Sequence, residues 1–195
     1  AQVEQTVPVR RTAAVIGAGV AGIQAALDLA DSGYHVHLIE KESSIGGRMA
    51  QIDKTFPTMD CSICILAPKM SEAGRHENIE VLTNSRVTHV GGYVGNFVVT
   101  VHKTPRYVTK DCTSCGDCST ACPVVAPNEF DMGLAARKAI YRSFVQAVDE
   151  GQGPVCRQRQ EANHRRLEVI ASGAHGRRSD GARVGVNADD LLSRE

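Results

Sequence analysis

Residues 13–22 read AAVIGAGVAG and decide the fold of the first part of this chain. The apolar run at 13–16 is typical of a short strand buried in a parallel sheet. Apolar residues then recur at helical spacing from Val20, and Gly33 is the expected end of that helix. Residues 36–40 predict a second strand. The unit is therefore β-α-β, which requires a parallel strand pair joined by a right-handed crossover.

The glycines between the first strand and the helix match the pattern G-x-G-x-x-G. In a dinucleotide site the first glycine makes the turn, the second lets backbone approach the pyrophosphate, and the third lets helix and strand pack closely. Glu40 ends the second strand, where a carboxylate accepts hydrogen bonds from ribose and disfavours a 2′-phosphate. A glycine turn without a ligand is the alternative. The candidate binding residues are Gly17, Ala18, Gly19, Val20, Ala21, Gly22, Glu40 and Lys41.

A second glycine pair follows at Gly46-Gly47-Arg48. It resembles the second glycine pair of flavoproteins of the two-dinucleotide-binding type. This resemblance favours FAD over NAD as the bound cofactor. Gly46, Gly47 and Arg48 are therefore added to the candidate cofactor-binding residues.

Four of the seven cysteines follow the spacing C-x2-C-x2-C-x3-C-P, at Cys112, Cys115, Cys118 and Cys122. This is the bacterial ferredoxin pattern, which predicts thiolate ligands to a [4Fe-4S] cluster. A zinc site would more often show two C-x2-C pairs set farther apart. Cys122 would either close the same cluster or serve a second one, because in two-cluster ferredoxins the fourth cysteine ligates the other cluster.

Cys61 and Cys64 form a separate C-x2-C pair. Three interpretations remain open for it. The pair would supply ligands to a second, shared cluster, act as a redox dithiol, or be inert buried packing. The seven histidines show no helical metal-binding spacing with an acid, and we expect them to be ordinary surface or strand residues.

The rest of the chain predicts three further features. A third strand is expected at 79–82, and an antiparallel hairpin is expected from 87–90 and 97–101. A helix is expected over 134–148. The stretch 43–75 looks irregular, with Gly46-Gly47, Pro57 and Pro68 as breakers.

Composition predicts a chain divided into three parts. Residues 1–105 would form a partial FAD-binding unit, 106–150 a ferredoxin-like segment with its helix, and 151–195 a tail. The tail holds eight Arg and no aromatic residue, so we expect it to be poorly ordered or weakly helical. Lys+Arg and Asp+Glu both total 22, which gives no sign of nucleic-acid binding. No apolar run is long enough for a membrane span and no signal pattern is visible, so a cytoplasmic protein is expected.

With these motifs in view, the chain resembles the A-subunit family of heterodisulfide reductases. The match runs over roughly residues 10–148, and the stretch from Asp60 to Met70 makes it specific, because generic flavoproteins do not share it. The stretches that carry the resemblance are 14–28, 40–47, 53–70, 92–97, 112–123, 125–131 and 137–141.

The resemblance implies a Rossmann-like α/β fold and an FAD- and [4Fe-4S]-dependent electron-transfer subunit of an oxidoreductase complex. Its partners would be iron–sulfur subunits and a hydrogenase, dehydrogenase or ferredoxin, in an oligomer, with flavin-based electron bifurcation in some members. Family members continue beyond this match, so flavin binding by this chain alone is expected to be incomplete. The alternative function is a non-catalytic electron wire or assembly module that needs partner chains to bind FAD.

Overall fold

The computed structural model describes most of the chain up to residue 144 and one later strand. The described residues are 9, 11–104, 112, 115–144, 147 and, for the backbone alone, 165–172.

A parallel sheet forms the first layer of the fold, as the sequence predicts. Strands β1 (Thr12–Ile16), β2 (His35–Ile39) and β3 (Ile79–Leu82) lie in that order, and helix α1 (Val20–Asp31) connects the first two. Ile39 is the partner of both Ile16 and Leu82, so all three strands reach their carboxyl ends together. The predicted Rossmann-like α/β class is confirmed.

A second helix, α2 (Ser62–Arg75), covers a stretch that looks irregular in the sequence. Leu66, Met70 and Ala73 recur at helical spacing and are buried against α1 and the sheet. Pro68 lies inside the helix but is exposed. A proline there removes one backbone hydrogen bond, and the buried apolar face outweighs that loss.

The predicted hairpin is present and is longer than expected. Strands β4 (Ser85–Tyr93) and β5 (Asn96–Lys103) pair antiparallel, with a register shift between Val87 and His89.

The other edge of β5 pairs with β8 (Arg165–Ser172), also antiparallel. This strand differs from the poor order or weak helix expected for the tail. A sheet edge offers unpaired N–H and C=O groups, so an eight-residue segment can gain a full ladder without aromatic residues. The remainder of 151–195 lies outside the described residues.

The cysteine segment is built from small elements: α3 (Asp117–Ala121), β6 (Val125–Pro127) and β7 (Ala136–Lys138), the two strands being antiparallel. The helix predicted over 134–148 is therefore wrong for the described part of that range. The Asp131 carboxylate accepts hydrogen bonds from the N–H groups of Gly133 and Ala135 and fixes a turn there. The backbone that would continue a helix pairs with β6 instead. Residues 145, 146 and 148 lie outside the described set. No helix among the described residues is long and apolar enough to cross a bilayer.

Candidate functional site

The first glycine turn is held by close backbone packing. Gly17 adopts φ +95°, and its N–H donates to the carbonyl of Ile39 at 2.8 Å, which ties the turn to β2. A Cβ on Gly22 would lie 1.8 Å from the carbonyl oxygen of Gly17. The third glycine of the motif is therefore required by helix–strand contact, as the sequence predicts.

Glu40 is buried, with 6% of its surface exposed, and it fastens the same turn. One carboxylate oxygen accepts from the N–H of Ala18 at 2.7 Å, and the other accepts from the N–H of Glu42 at 3.0 Å. The predicted ribose acceptor thus also has a structural role. An ionised carboxylate offers about four acceptor positions, so it retains capacity for a ligand hydroxyl.

The second glycine pair packs directly on the first turn. The N–H of Gly46 donates to the carbonyl of Ala18 at 2.7 Å. Gly47 adopts φ +60°, and a Cβ there would approach the Cα of Gly19 to 3.1 Å. The two glycine-rich stretches, separate in sequence, therefore form one double turn.

The start of α1 has the electrostatics of an anion site. Its N-cap is Gly19, which has no side chain to cap the helix, and its first turn carries no acid. The first backbone N–H groups of a helix lack intrahelical partners and carry partial positive charge. No described atom lies within 4 Å of an ideal Cβ on Gly19, so open space faces the backbone here. These residues fit the pyrophosphate of a dinucleotide.

A cavity of about 760 Å³ extends from this double turn. Its near wall includes Gly17, Glu40, Lys41, Gly47 and Arg48. Its far wall comes from the cysteine segment, from 119 to 143. Six basic and three acidic residues line the cavity, a balance that suits an anionic ligand.

Arg48 bridges the two walls. Its guanidinium donates to the carbonyl of Phe130 at 3.0 Å and lies 5.3 Å from the centroid of that ring. On the far wall, the guanidinium of Arg137 lies 3.9 Å from the ring centroid of Tyr141. The structure thus brings the second glycine stretch and the cysteine segment to one cavity.

None of the four ferredoxin-pattern cysteines is in a disulfide; Cys112 and Cys122 are half-buried, and Cys115 and Cys118 are exposed. Gly116 adopts φ +95° and is the N-cap of α3, which contains Cys118 and ends just before Cys122. A backbone hydrogen bond with Ile140 is the main cause that lowers the pKa of the Cys122 thiol. Four soft sulfurs are the donor type that an iron–sulfur cluster requires. Among the described residues, however, the structure does not gather three or more of these sulfurs at one point.

Cys61 and Cys64 are joined by a disulfide at the start of α2, with their Cα atoms 5.3 Å apart. The Cys61 sulfur also accepts from the N–H of Cys64 at 3.3 Å, as an N-cap. Both residues are exposed, which does not fit inert buried packing. The cluster-ligand and redox-dithiol interpretations both stay predictions.

Several further cavity residues carry no signal of their own in the sequence. Arg86 and Arg142 add basic charge, and Asn128, Phe130 and Tyr141 shape the far wall. No periodicity marks them. Asn128, Phe130 and Tyr141 lie in stretches that carry the family resemblance, 125–131 and 137–141, whereas Arg86 and Arg142 lie outside them.

Comparison with known proteins agrees with this geometry. Residues 15–79 match the NAD(P)-binding Rossmann-like domain family. The chain is 64% identical over 143 residues to the second iron–sulfur A-subunit of the CoB–CoM heterodisulfide reductase of Methanopyrus kandleri, covering 73% of this chain and 22% of that protein. It is 58% identical over 146 residues to the A-subunit of the H2/formate:CoB–CoM heterodisulfide,ferredoxin reductase of Methanococcus maripaludis, covering 74% and 22%. The chain therefore spans about a fifth of the length of these relatives, and over most of its own length it is a homologue of the heterodisulfide reductase A-subunits.

Proposed function

We propose that this chain is an electron-transfer subunit of a heterodisulfide-reductase-like oxidoreductase complex that uses FAD and a [4Fe-4S] cluster. The observation that carries the proposal is the shared cavity. The double glycine turn forms one wall, and the segment that holds the four thiols contributes the other. The four cysteines do not themselves line the cavity, but Ser119, the neighbour of Cys118, does. The two redox groups would therefore be held by adjoining parts of the structure.

The FAD would be held by this chain's backbone and by a few side chains. The N–H groups at the start of α1 would bind the pyrophosphate, while Glu40 would accept from ribose hydroxyls. Lys41 and Arg48 line the same cavity and would neutralise phosphate charge. When bound, FAD supplies chemistry that exchanges electrons singly or in pairs, and the protein supplies position and electrostatics.

The cluster would be ligated by Cys112, Cys115, Cys118 and Cys122. Gly116 has no described heavy atom within 4 Å of its ideal Cβ position, so the backbone here can approach the inorganic sulfides closely. The Cys122 thiol has a lowered pKa, which favours the thiolate that ligates iron.

Together with partner subunits, this chain would form a complex that reduces a disulfide substrate. Two relatives are named as A-subunits of heterodisulfide,ferredoxin reductases. One of these names includes H2 and formate, and the other includes H2. These names support partners that deliver electrons from a hydrogenase or dehydrogenase, and they support electron bifurcation between a heterodisulfide and ferredoxin. A cytoplasmic assembly is part of the same proposal.

Anaerobic reconstitution of the chain and of its native complex tests this function. The iron, sulfide and flavin contents are measured, and the visible spectrum is recorded. We expect about four iron atoms and one FAD per chain. Cys112→Ser should abolish the cluster absorbance, and Cys156→Ser, outside both cysteine groups, is the matched control. Iron without flavin in the isolated chain would favour the electron-wire function instead. Zinc in place of iron would contradict both.

A further inference from the structure

The parallel sheet carries a second group of potential ligands, away from the glycine turn. His35 and His37 are two residues apart on β2, so both side chains lie on the same face of the sheet. Glu80 on β3 is the register partner of His37. The alternate residues Val36 and Leu38 are fully buried in the helix-covered core, so the histidines face the opposite side.

The three side chains converge. One donor atom from each of His35, His37 and Glu80 lies within 4.8 Å of the other two. Nδ1 of His37 is 2.8 Å from a carboxylate oxygen of Glu80. That nitrogen is buried, and the Glu80 carboxylate is a partner at hydrogen-bond distance, although the angle between them is poor.

A cation would satisfy this arrangement. Imidazole nitrogen with carboxylate oxygen is a preferred donor set of Zn²⁺. If the three donor atoms were all 4.8 Å apart, the point equidistant from them would be about 2.8 Å from each atom. Zinc bonds are about 2.0–2.2 Å, so each donor would have to move inward by at most roughly 0.7 Å. His35 is exposed and free to rotate by that amount.

We propose that His35, His37 and Glu80 form a binding site for a zinc-class divalent cation. The site has three protein ligands on two rigid, adjacent strands, with a fourth position open to solvent on the His35 side. It is distinct from the dinucleotide site, because His35 begins β2 and Glu40 follows its end, about 16 Å along the strand. Bound metal would tie β2 to β3. The proposal does not depend on the proposed redox function.

Zinc titration of the anaerobic, cluster-loaded protein tests the site, since iron then occupies the clustered thiols. Calorimetry should give one added Zn²⁺ per wild-type chain. His35→Ala and Glu80→Gln should each weaken binding at least about tenfold. His89→Gln changes an exposed histidine on β4 and is the matched control, expected to bind like wild type.

Thermal unfolding supplies a second readout. Zinc should raise the midpoint of wild type and His89→Gln, because a ligand of the folded state stabilises it, and should raise that of His35→Ala much less. His35 is exposed, so its alanine variant should fold normally without metal. Equal zinc affinity in wild type, His35→Ala and Glu80→Gln would overturn the proposal. So would zinc binding that disappears only when the clustered cysteines are replaced.

Discussion

Replacement of Gly22 by Ala should destabilise the fold at the glycine turn, in addition to any effect on a bound ligand. The new Cβ would lie 1.8 Å from the carbonyl oxygen of Gly17, whereas real Cβ contacts are almost never under 3.0 Å. The helix and the strand must therefore separate by at least about 1.2 Å. The obstructing atom is backbone, so it cannot rotate away.

The expected loss follows from two opposing terms. Overpacking of this kind costs about 3 kcal/mol at the upper end of its usual range. Alanine in place of glycine within a helix returns about 1 kcal/mol of backbone entropy. The net loss for Gly22→Ala is about 2 kcal/mol, which is roughly a 30-fold change in the unfolding equilibrium.

Gly19→Ala is the control that separates stability from binding. No described atom lies within 4 Å of its ideal Cβ, and its φ of −75° is accessible to any residue. Its stability should fall by less than about 1 kcal/mol, the difference between glycine and alanine at an N-cap. Flavin affinity should nevertheless fall, because the methyl group occupies the space in front of the helix start.

Urea unfolding followed by circular dichroism measures both variants on the flavin-free protein, and flavin fluorescence measures binding. A Gly22→Ala protein within about 0.5 kcal/mol of wild type would refute the packing argument. Unchanged flavin affinity in a folded Gly19→Ala protein would refute the pyrophosphate assignment.

Three further perturbations have defined outcomes. Glu40→Gln should lower the free energy of unfolding in urea by about 1.5–3 kcal/mol, because a neutral amide replaces a buried carboxylate that accepts from two backbone N–H groups. Stability equal to wild type would contradict the structural role of this carboxylate. A hydrogen bond with the His37 side chain is the main cause that lowers the pKa of Glu80. This carboxylate therefore stabilises the fold above its unfolded pKa, and the contribution is lost as pH falls through its folded pKa. Glu80→Gln should therefore flatten the acid side of a stability–pH curve, and an unaltered slope would exclude this role. Thiol titration of the unfolded, metal-free protein should find two fewer thiols before reduction than after it, because Cys61 and Cys64 form a disulfide. The Cys61→Ser variant should give the same number of thiols before and after reduction.

Local chemistry explains why the first third of the fold could be predicted. The strand, the glycine turn and the helix are each specified by neighbouring residues: an apolar run, a required positive φ at Gly17 and a 3.6-residue periodicity. The acid at the end of β2 also follows locally, from strand length. The contact between the two glycine stretches is tertiary, so only the resemblance of Gly46-Gly47 to flavoproteins indicates it.

The errors arise where tertiary contacts outweigh local signals. Pro68 looks like a breaker in the sequence, yet it sits on the exposed side of α2 while Leu66 and Met70 are buried at i and i+4. That spacing is visible in the sequence. Over 134–144 the opposite holds: helical spacing is present, but the Asp131 turn and pairing with β6 determine the structure.

The histidine group shows a third kind of limit. The pattern His-x-His on a strand places two imidazoles on one face, and it is visible in the sequence at His35 and His37. The acid comes from Glu80, which the register of β2 and β3 sets opposite His37. A search for helical spacing cannot find it. Strand register is the missing information.

Glu40 shows why the motif alone cannot separate folding from binding. A ribose ligand and the turn both require an acceptor at the end of β2, and the same carboxylate meets both requirements. A dinucleotide fold whose ligand was lost would still retain this acid, because Ala18 and Glu42 donate to it. The presence of the acid is therefore weak evidence for a bound flavin. The open space over Gly19 is stronger evidence, since packing does not require a glycine there, and flavin binding to Gly19→Ala is the more decisive measurement.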